Sequence, residues 1–317
     1  MSPTSATRRA SAPAAPEHLR ALARRASRRR RGARWVGLLW VLPALVMYGG
    51  FVLYPLTQTV RYSFYDWNGI GTAAWVGIRN YDTVFNDAQL YGSVLHAFQL
   101  VIFFSFIPVA LGLLIGALLR GLKEGRFTTV SRTVLFLPQI IPLVGAAIAW
   151  RWLYAQDGLV NGTLSWVGLD LLTRGWLGDF GTALPAVGLI GCWVATGFCT
   201  VLMLSGIARI DPTLYEAAQL DGAGPVAEFF AVTLPNLRHE ITVALTVTTI
   251  AALASFDIVY VATQGGPGYS TMVPGVQVVR LAFTENNVGL ASALAVVLLL
   301  LVYVVALPIQ LLNRRPR

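Results

Sequence analysis

The sequence predicts an all-α membrane protein with six transmembrane helices and with both termini in the cytoplasm. Two observations predict this class: 56% of the 317 residues are hydrophobic, and only 12% are charged. Soluble domains carry about 25% charged residues, so this chain has too few polar side chains to cover a surface in water. The composition therefore excludes a soluble enzyme, a disordered chain and a disulfide scaffold.

Six apolar stretches are each long enough to cross a hydrocarbon core, which takes about 20 helical residues. Their continuous apolar runs predict helices, because the strands of a membrane barrel would alternate apolar and polar residues. Prolines interrupt most of these stretches, and we expect neighbouring helices to satisfy the carbonyl groups that the prolines leave free. The predicted spans are Trp35–Gln58, Ser93–Leu119, Val134–Tyr154, Ala183–Gly206, Ile241–Thr263 and Val288–Leu312.

The distribution of lysine and arginine predicts the orientation of these spans. With the N-terminus inside, 19 of the 24 basic residues lie on the cytoplasmic side, which is the side that such residues favour. Ten arginines fall within residues 1–34, which we expect to form a disordered cytoplasmic tail. Residues 35–312 are the predicted transmembrane domain, and residues 313–317 are a short cytoplasmic C-terminus. These features predict a multi-pass protein of the cell membrane, with the lipid bilayer as a partner and no nucleic acid.

The residues that enzymes and metal sites need are scattered. The one lysine, Lys123, follows Leu122 where a phosphate-binding P-loop needs glycine, so we expect no ATP hydrolysis by this chain. The histidines His18, His96 and His239 lie in the tail, a span and a loop, which gives no helical pair for a metal ion. We therefore predict no catalytic residues, no metal site and no enzyme activity.

Asp257 is the clear ionisable residue within the predicted spans. A carboxylate at the centre of a membrane helix costs about 2.5–3.5 kcal/mol, so it should face the protein interior or a wet cavity. Two interpretations stay open. The carboxylate either accepts a hydrogen bond from a neighbouring helix, or it lies with Tyr260 on the path of a transported solute.

The connection between the fourth and fifth spans, residues 207–240, differs from the other loops. Asp211 before Pro212 is typical of a helix start, and the helix is predicted over Pro212–Leu220. Glycines in residues 221–224 then permit the positive φ that ends a helix. A second short helix is predicted over Val226–Val232, with its end at Leu234-Pro235.

The 207–240 loop holds five of the 15 acidic residues but only two arginines, and its helices carry apolar side chains at the membrane surface. Such a surface suits docking into a cleft of another protein. A plain loop that lies on the membrane interface is the alternative interpretation.

A spaced pattern of residues runs through this loop. Its residues are Glu216, Ala217, Ala218, Asp221, Gly222, Val232, Leu234 and Pro235. The pattern resembles the EAA motif of binding-protein-dependent ABC importers, with Val232 in place of the usual isoleucine.

Further segments resemble the sugar-type permeases of the same family, in the order and spacing found there. The resemblance covers most of residues 40–310. The matching segments are Ser63–Gly69 with Asn80-Tyr81, Gly158–Gly162, and Phe256–Tyr260 followed by Gly265–Gly268.

The resemblance implies an ABC type I importer permease fold and a role as the membrane-spanning subunit that moves a sugar or related carbohydrate. It implies a second homologous permease subunit, two copies of an ABC ATPase that bind ATP and Mg²⁺, and an extracytoplasmic solute-binding protein. Glu216 would face a basic group in a cleft of the ATPase, and Gly222 would make the bend. Transport of a non-sugar solute by the same machinery is one alternative, and an ion-coupled secondary transporter is another.

Overall fold

The computed structural model describes residues 40–121 and 125–311, and it is helical over most of that length. The chain divides into two units, residues 1–58 and 59–317. The described part of the first unit belongs to one apolar helix. The predicted tail (1–34) and the predicted C-terminus (313–317) lie outside the described residues.

The helices are numbered here in chain order. They are α1 Trp40–Tyr62, α2 Arg79–Asn86, α3 Ala88–Arg120, α4 Arg126–Ile140, α5 Leu143–Leu153, α6 Leu159–Trp166, α7 Ala183–Ile207, α8 Pro212–Leu220, α9 (225–236), α10 Arg238–Leu253, α11 Asp257–Ala262, α12 (274–284) and α13 Val288–Leu311. Wider π-helical turns lie within four of them, at Gly49–Leu53, Ile102–Phe106, Phe229–Thr233 and Arg280–Thr284. A short 3₁₀ turn covers Asp170–Leu172, and the strands β1 Tyr65–Asp66 and β2 Ala74–Trp75 pair antiparallel.

Four continuous helices in the described part of the chain are long and apolar enough to cross a membrane: α1, α3, α7 and α13. The pair α4 and α5 makes a fifth if the two are counted as one bent span. These helices coincide with five of the six predicted spans, and α3 begins several residues earlier than expected. The count of six and the cytoplasmic placement of both termini stay predictions.

The predicted third span, Val134–Tyr154, is broken into two helices. Helix α4 ends at Ile140, α5 begins at Leu143, and the two are bent by 101°. Ile141 has an extended backbone (φ −72°, ψ 127°). It precedes Pro142, whose ring disfavours the helical conformation for the residue before it.

The predicted fifth span, Ile241–Thr263, is also broken, although its sequence contains no proline or glycine. Instead of one helix over Ile241–Thr263, α10 ends at Leu253 and α11 begins at Asp257. The start of α12 packs directly against the break, since a Cβ atom on Gly275 would lie 2.9 Å from the carbonyl oxygen of Ser255. The break between α10 and α11 is therefore packed against α12, and no proline or glycine in the local sequence predicts it.

The segment that follows α1 is a small hairpin held by side chains. Its strands pair Tyr65 with Trp75, and Asn80 donates hydrogen bonds of 2.9 Å to the carbonyl oxygens of Ser63 and Tyr65. The Ser63 hydroxyl lies 2.6 Å from the hydroxyl of Tyr81. The polar residues of this sequence motif thus fold the segment onto helix α2.

Glycines let α3 and α7 approach each other closely. A Cβ atom on Gly112 would lie 2.7 Å from the Cβ atom of Cys199, and one on Gly116 would lie 3.3 Å from that of Met203. Cys199 and Met203 are fully buried. Small residues spaced four apart allow membrane helices to pack backbone to backbone, where van der Waals contact replaces the missing hydrophobic driving force.

We predict that Gly112→Ala lowers the stability of the solubilised protein, because the added methyl group overpacks the contact between α3 and α7 at a cost of about 1–3 kcal/mol. Gly92→Ala in the same helix is the matched control, since its Cβ atom meets nothing within 4 Å. Thermal unfolding in detergent measures the difference. Equal midpoints for the two variants would contradict this packing.

Candidate functional site: the 207–240 loop and a cavity at the broken helices

Helix α8 begins as the sequence predicts. The Asp211 carboxylate accepts a hydrogen bond of 3.0 Å from the backbone N–H of Thr213, and Pro212 occupies the first helical turn. Hydrogen bonding from Thr213 holds the pKa of the Asp211 carboxyl below its usual value, because it favours the ionised form. The negative charge also stabilises the N-terminal end of the helix.

Helix α8 ends at Leu220, as the sequence predicts, and Gly222 closes its C-terminal cap. The N–H of Gly222 donates to the carbonyl oxygen of Gln219 (3.0 Å), and that of Ala223 donates to Ala218 (2.9 Å). This pair of bonds is a Schellman motif, which requires a left-handed residue at the position of Gly222. Its φ is +79°. Glycine reaches that conformation without the steric cost that a Cβ atom brings.

Helix α9 is longer than the sequence predicts. It runs from Pro225 to Asn236 as Pro225–Glu228, the π-helical turn Phe229–Thr233 and Leu234–Asn236. The expected end at Leu234-Pro235 is therefore wrong. Pro235 has no amide hydrogen for the helical ladder, and the wider turn just before it accommodates that loss.

One surface of the loop is exposed and carries both apolar and acidic residues. Glu216, Ala217, Asp221 and Gly222 are exposed, as is Pro235, whereas Ala218 and Leu234 are partly buried. Glu216 makes no ion pair or side-chain hydrogen bond with any residue in the described ranges. Large apolar side chains stand beside these acids, with exposed fractions from 46% to 89%: Leu214, Leu220, Val226 and Phe230.

The loop also rests on the end of α3. Arg120 forms an ion pair with Glu228 of α9, and its guanidinium carbon lies 3.2 Å from the centre of the Tyr215 ring of α8. The Arg120 hydrogen bond, together with one from Gln219, holds the pKa of the Glu228 carboxyl below its usual value. Arg120 and Glu228 are absent from the predicted site, because pairing across 108 residues leaves no local signal in the sequence.

A second ion pair fixes the two ends of the loop to each other. Arg209, just after α7, pairs with Glu240 in the first turn of α10. Glu240 is 5% exposed, and a Cβ atom on Gly206 would lie 2.7 Å from its Cγ atom. Residues at the start and the end of the loop are therefore held together at the ends of two membrane helices.

The two broken spans border a single cavity of about 680 Å³. Ile141 and Pro142 line it from the first break, and Ser255 and Phe256 line it from the second. Backbone that is not helical leaves peptide groups unsatisfied in lipid, so such segments occur at membrane depth where they are buried in protein or line a water-filled cavity. Both helix breaks line this one cavity, as such non-helical segments should.

Polar side chains reach this mainly apolar cavity from several helices. Gln139, Thr248, Ser255 and Asp257 are among its lining residues. The Ser255 hydroxyl is buried and has no hydrogen-bond partner within residues 40–121 and 125–311, and buried polar groups of that kind need water or a ligand.

The structure separates the two residues predicted for the solute path. Asp257 is exposed in the first turn of α11 and lines the cavity, and its carboxylate accepts no side-chain hydrogen bond in the described ranges. Tyr260 is not among the lining residues; it is 42% exposed, and its ring stacks on that of Phe256 at 5.0 Å. Of the pair, Asp257 alone faces the cavity.

Known proteins resemble this chain over most of its length. It is 34% identical over 276 residues to the trehalose/maltose transport system permease protein MalF of Thermococcus litoralis, covering 84% of this chain and 90% of that protein. It is 32% identical over 275 residues to the diacetylchitobiose uptake system permease protein NgcF of Streptomyces coelicolor, covering 83% and 78% of the two chains.

A solved structure has the same fold. It is a chain of a bacterial alginate ABC transporter, determined in complex with an alginate pentasaccharide-bound periplasmic protein. The TM-score is 0.77 at 22% identity, with 90% of this chain and 96% of that chain covered, so the importer permease fold predicted from the sequence is confirmed. Residues 109–317 match the family described as binding-protein-dependent transport system inner membrane component. The chain belongs to this family of multi-pass ABC transporter permeases.

Proposed function

We propose that this chain is the permease subunit through which an ABC importer moves a carbohydrate into the cell. The observation that carries this proposal is the cavity at the two broken helices. Its polar groups suit the hydroxyl groups of a sugar, and its apolar walls suit the faces of sugar rings. The relatives named for trehalose and maltose, for diacetylchitobiose and for alginate support this class of solute.

In this importer, separate ATPase subunits would bind and hydrolyse ATP. The exposed surface of the 207–240 loop, with Glu216 unpaired among the described residues and apolar side chains beside it, fits a cleft on an ATPase subunit. Two such subunits would bind ATP and Mg²⁺, and this chain would hold neither cofactor. A second, homologous permease subunit would complete the membrane path, and an extracytoplasmic binding protein would deliver the solute.

Reconstitution of the purified importer in liposomes tests the proposal. The complex that co-purifies with the tagged chain is inserted, and uptake of labelled oligosaccharides is measured with and without ATP. We expect uptake that needs ATP, the ATPase subunits and the binding protein, and that persists without an ion gradient. Uptake driven by an ion gradient in the absence of the ATPase would support a secondary transporter instead.

We predict that Asp257→Asn raises the solute concentration needed for half-maximal uptake by about ten-fold or more, because a hydrogen bond to a charged group contributes about 1.5–3 kcal/mol. ATPase activity and assembly should stay unchanged. Asp157→Asn is the matched control, since Asp157 lies in the turn between α5 and α6. Equal uptake by both variants would remove Asp257 from the solute path.

We predict that Gly222→Val uncouples ATP hydrolysis from uptake while the protein still inserts into the membrane. A Cβ atom at position 222 meets nothing within 4 Å, so the free-energy cost of the substitution comes from the positive φ and is about 1–2 kcal/mol. Gly224→Val is the control, because Gly224 also has open space around it but has an extended backbone (φ −76°, ψ 172°). Wild-type uptake and ATPase stimulation in Gly222→Val would argue against docking through this loop.

A further inference from the structure

We propose that Arg120 is a positioning residue that ties both helices of the 207–240 loop to the end of α3, so that movement of the loop moves that helix. This inference rests on the proposed function, because it assigns the loop the task of passing on ATP-driven movement. Arg120 lies outside the loop and outside the motif by which the loop is recognised.

A single side chain makes the connection. Arg120 is the last residue of α3; its guanidinium group stacks on Tyr215 of α8 and pairs with Glu228 of α9. The two loop helices are also joined to each other beside it. Gln219 of α8 donates a hydrogen bond of 3.1 Å to Glu228, and the Tyr215 hydroxyl lies 3.2 Å from that of Thr233 in α9.

The surroundings of Arg120 make this connection stronger than an ordinary surface ion pair. The side chain of Glu228 is 12% exposed, and Tyr215 is 5% exposed. The side chain of Arg120 itself is 31% exposed, and a partly shielded guanidinium group gains more from an aromatic face and from a carboxylate than a fully exposed one does. Its flat shape lets it stack and donate hydrogen bonds at once, which the ammonium group of lysine cannot do.

Helix α3 continues from this junction to the cavity. Its glycines pack closely along α7, and Phe104 in the same helix lines the cavity at the broken spans. A packed helix moves as one body more readily than it deforms, and we expect this of α3 between Phe104 and Arg120. A shift of the loop that pulls on Arg120 would therefore change the packing around the cavity.

The test uses the complete importer in liposomes and measures solute moved per ATP hydrolysed. Arg120→Gln should assemble with its partners but lower this ratio by about two-fold to thirty-fold, the range expected for residues that carry coupling between sites. Glu228→Gln should have a similar effect. The double variant should fall no further, because both changes remove one shared interaction. Arg120→Lys should give an intermediate ratio.

Arg280→Gln is the matched control. Arg280 also pairs with a glutamate, Glu285 at 3.0 Å, and faces a tyrosine ring, Tyr269 at 4.6 Å, but it belongs to α12. We expect the wild-type ratio for this variant.

A wild-type ratio of solute moved per ATP for Arg120→Gln, or losses that add in the double variant, would overturn the positioning role of Arg120 and leave the proposed function standing. If Arg120→Gln fails to assemble, the near-isosteric Glu228→Gln decides, and a wild-type ratio in that variant overturns the proposal. A wild-type importer that shows no ATP-driven uptake would instead overturn the proposed function.

Discussion

Every backbone amide and carbonyl group within hydrocarbon must find a partner inside the protein, and this requirement decides where the membrane helices of this chain can break. Two predicted spans are interrupted, one at Ile141-Pro142 and one at residues 254–256. Both interruptions face one cavity, where water or a polar solute can reach the freed peptide groups. The same requirement that restricts the chain to helices therefore also accounts for the position of both breaks at the cavity.

The charged residues that form ion pairs around the loop lie at the ends of the long apolar helices. Arg120 and Arg209 lie at or just beyond the ends of α3 and α7, and their partners Glu228 and Glu240 lie on or beside the loop. These pairs hold the loop at the ends of α3 and α10, while Glu216 is exposed and stays unpaired among the described residues. The loop is thus fixed at these two ion pairs, and the carboxylate of Glu216 is left exposed.

Local signals predicted the parts of the molecule that depend on local chemistry. Asp211-Pro212 and Gly222 mark the two ends of α8, and the structure places the helix between them as expected. The apolar runs likewise located α1, α3, α7 and α13 to within a few residues, apart from the start of α3, because length and hydrophobicity decide which helices can cross a membrane.

Contacts between distant residues escaped prediction. The break before Asp257 is packed against Gly275 of α12, and the ion pair between Arg120 and Glu228 joins elements 108 residues apart. Pro142 marks the first break in the sequence, but the bend of 101° is not predictable from the sequence alone, because a proline within a span bends or breaks the helix according to what packs beside it. The candidate site was therefore predictable as a loop and a carboxylate, but not as a cavity.

The accessibility of Ser255 tests most directly whether the cavity is the solute path of an ATP-driven importer. Ser255→Cys is made in a chain whose buried native cysteines, Cys192 and Cys199, are replaced by alanine. The assembled importer is then treated with a membrane-impermeant thiol reagent, with and without ATP trapped on the complex. We predict that labelling changes with the nucleotide state and that a transported oligosaccharide protects the cysteine. Labelling that depends on neither would contradict the account.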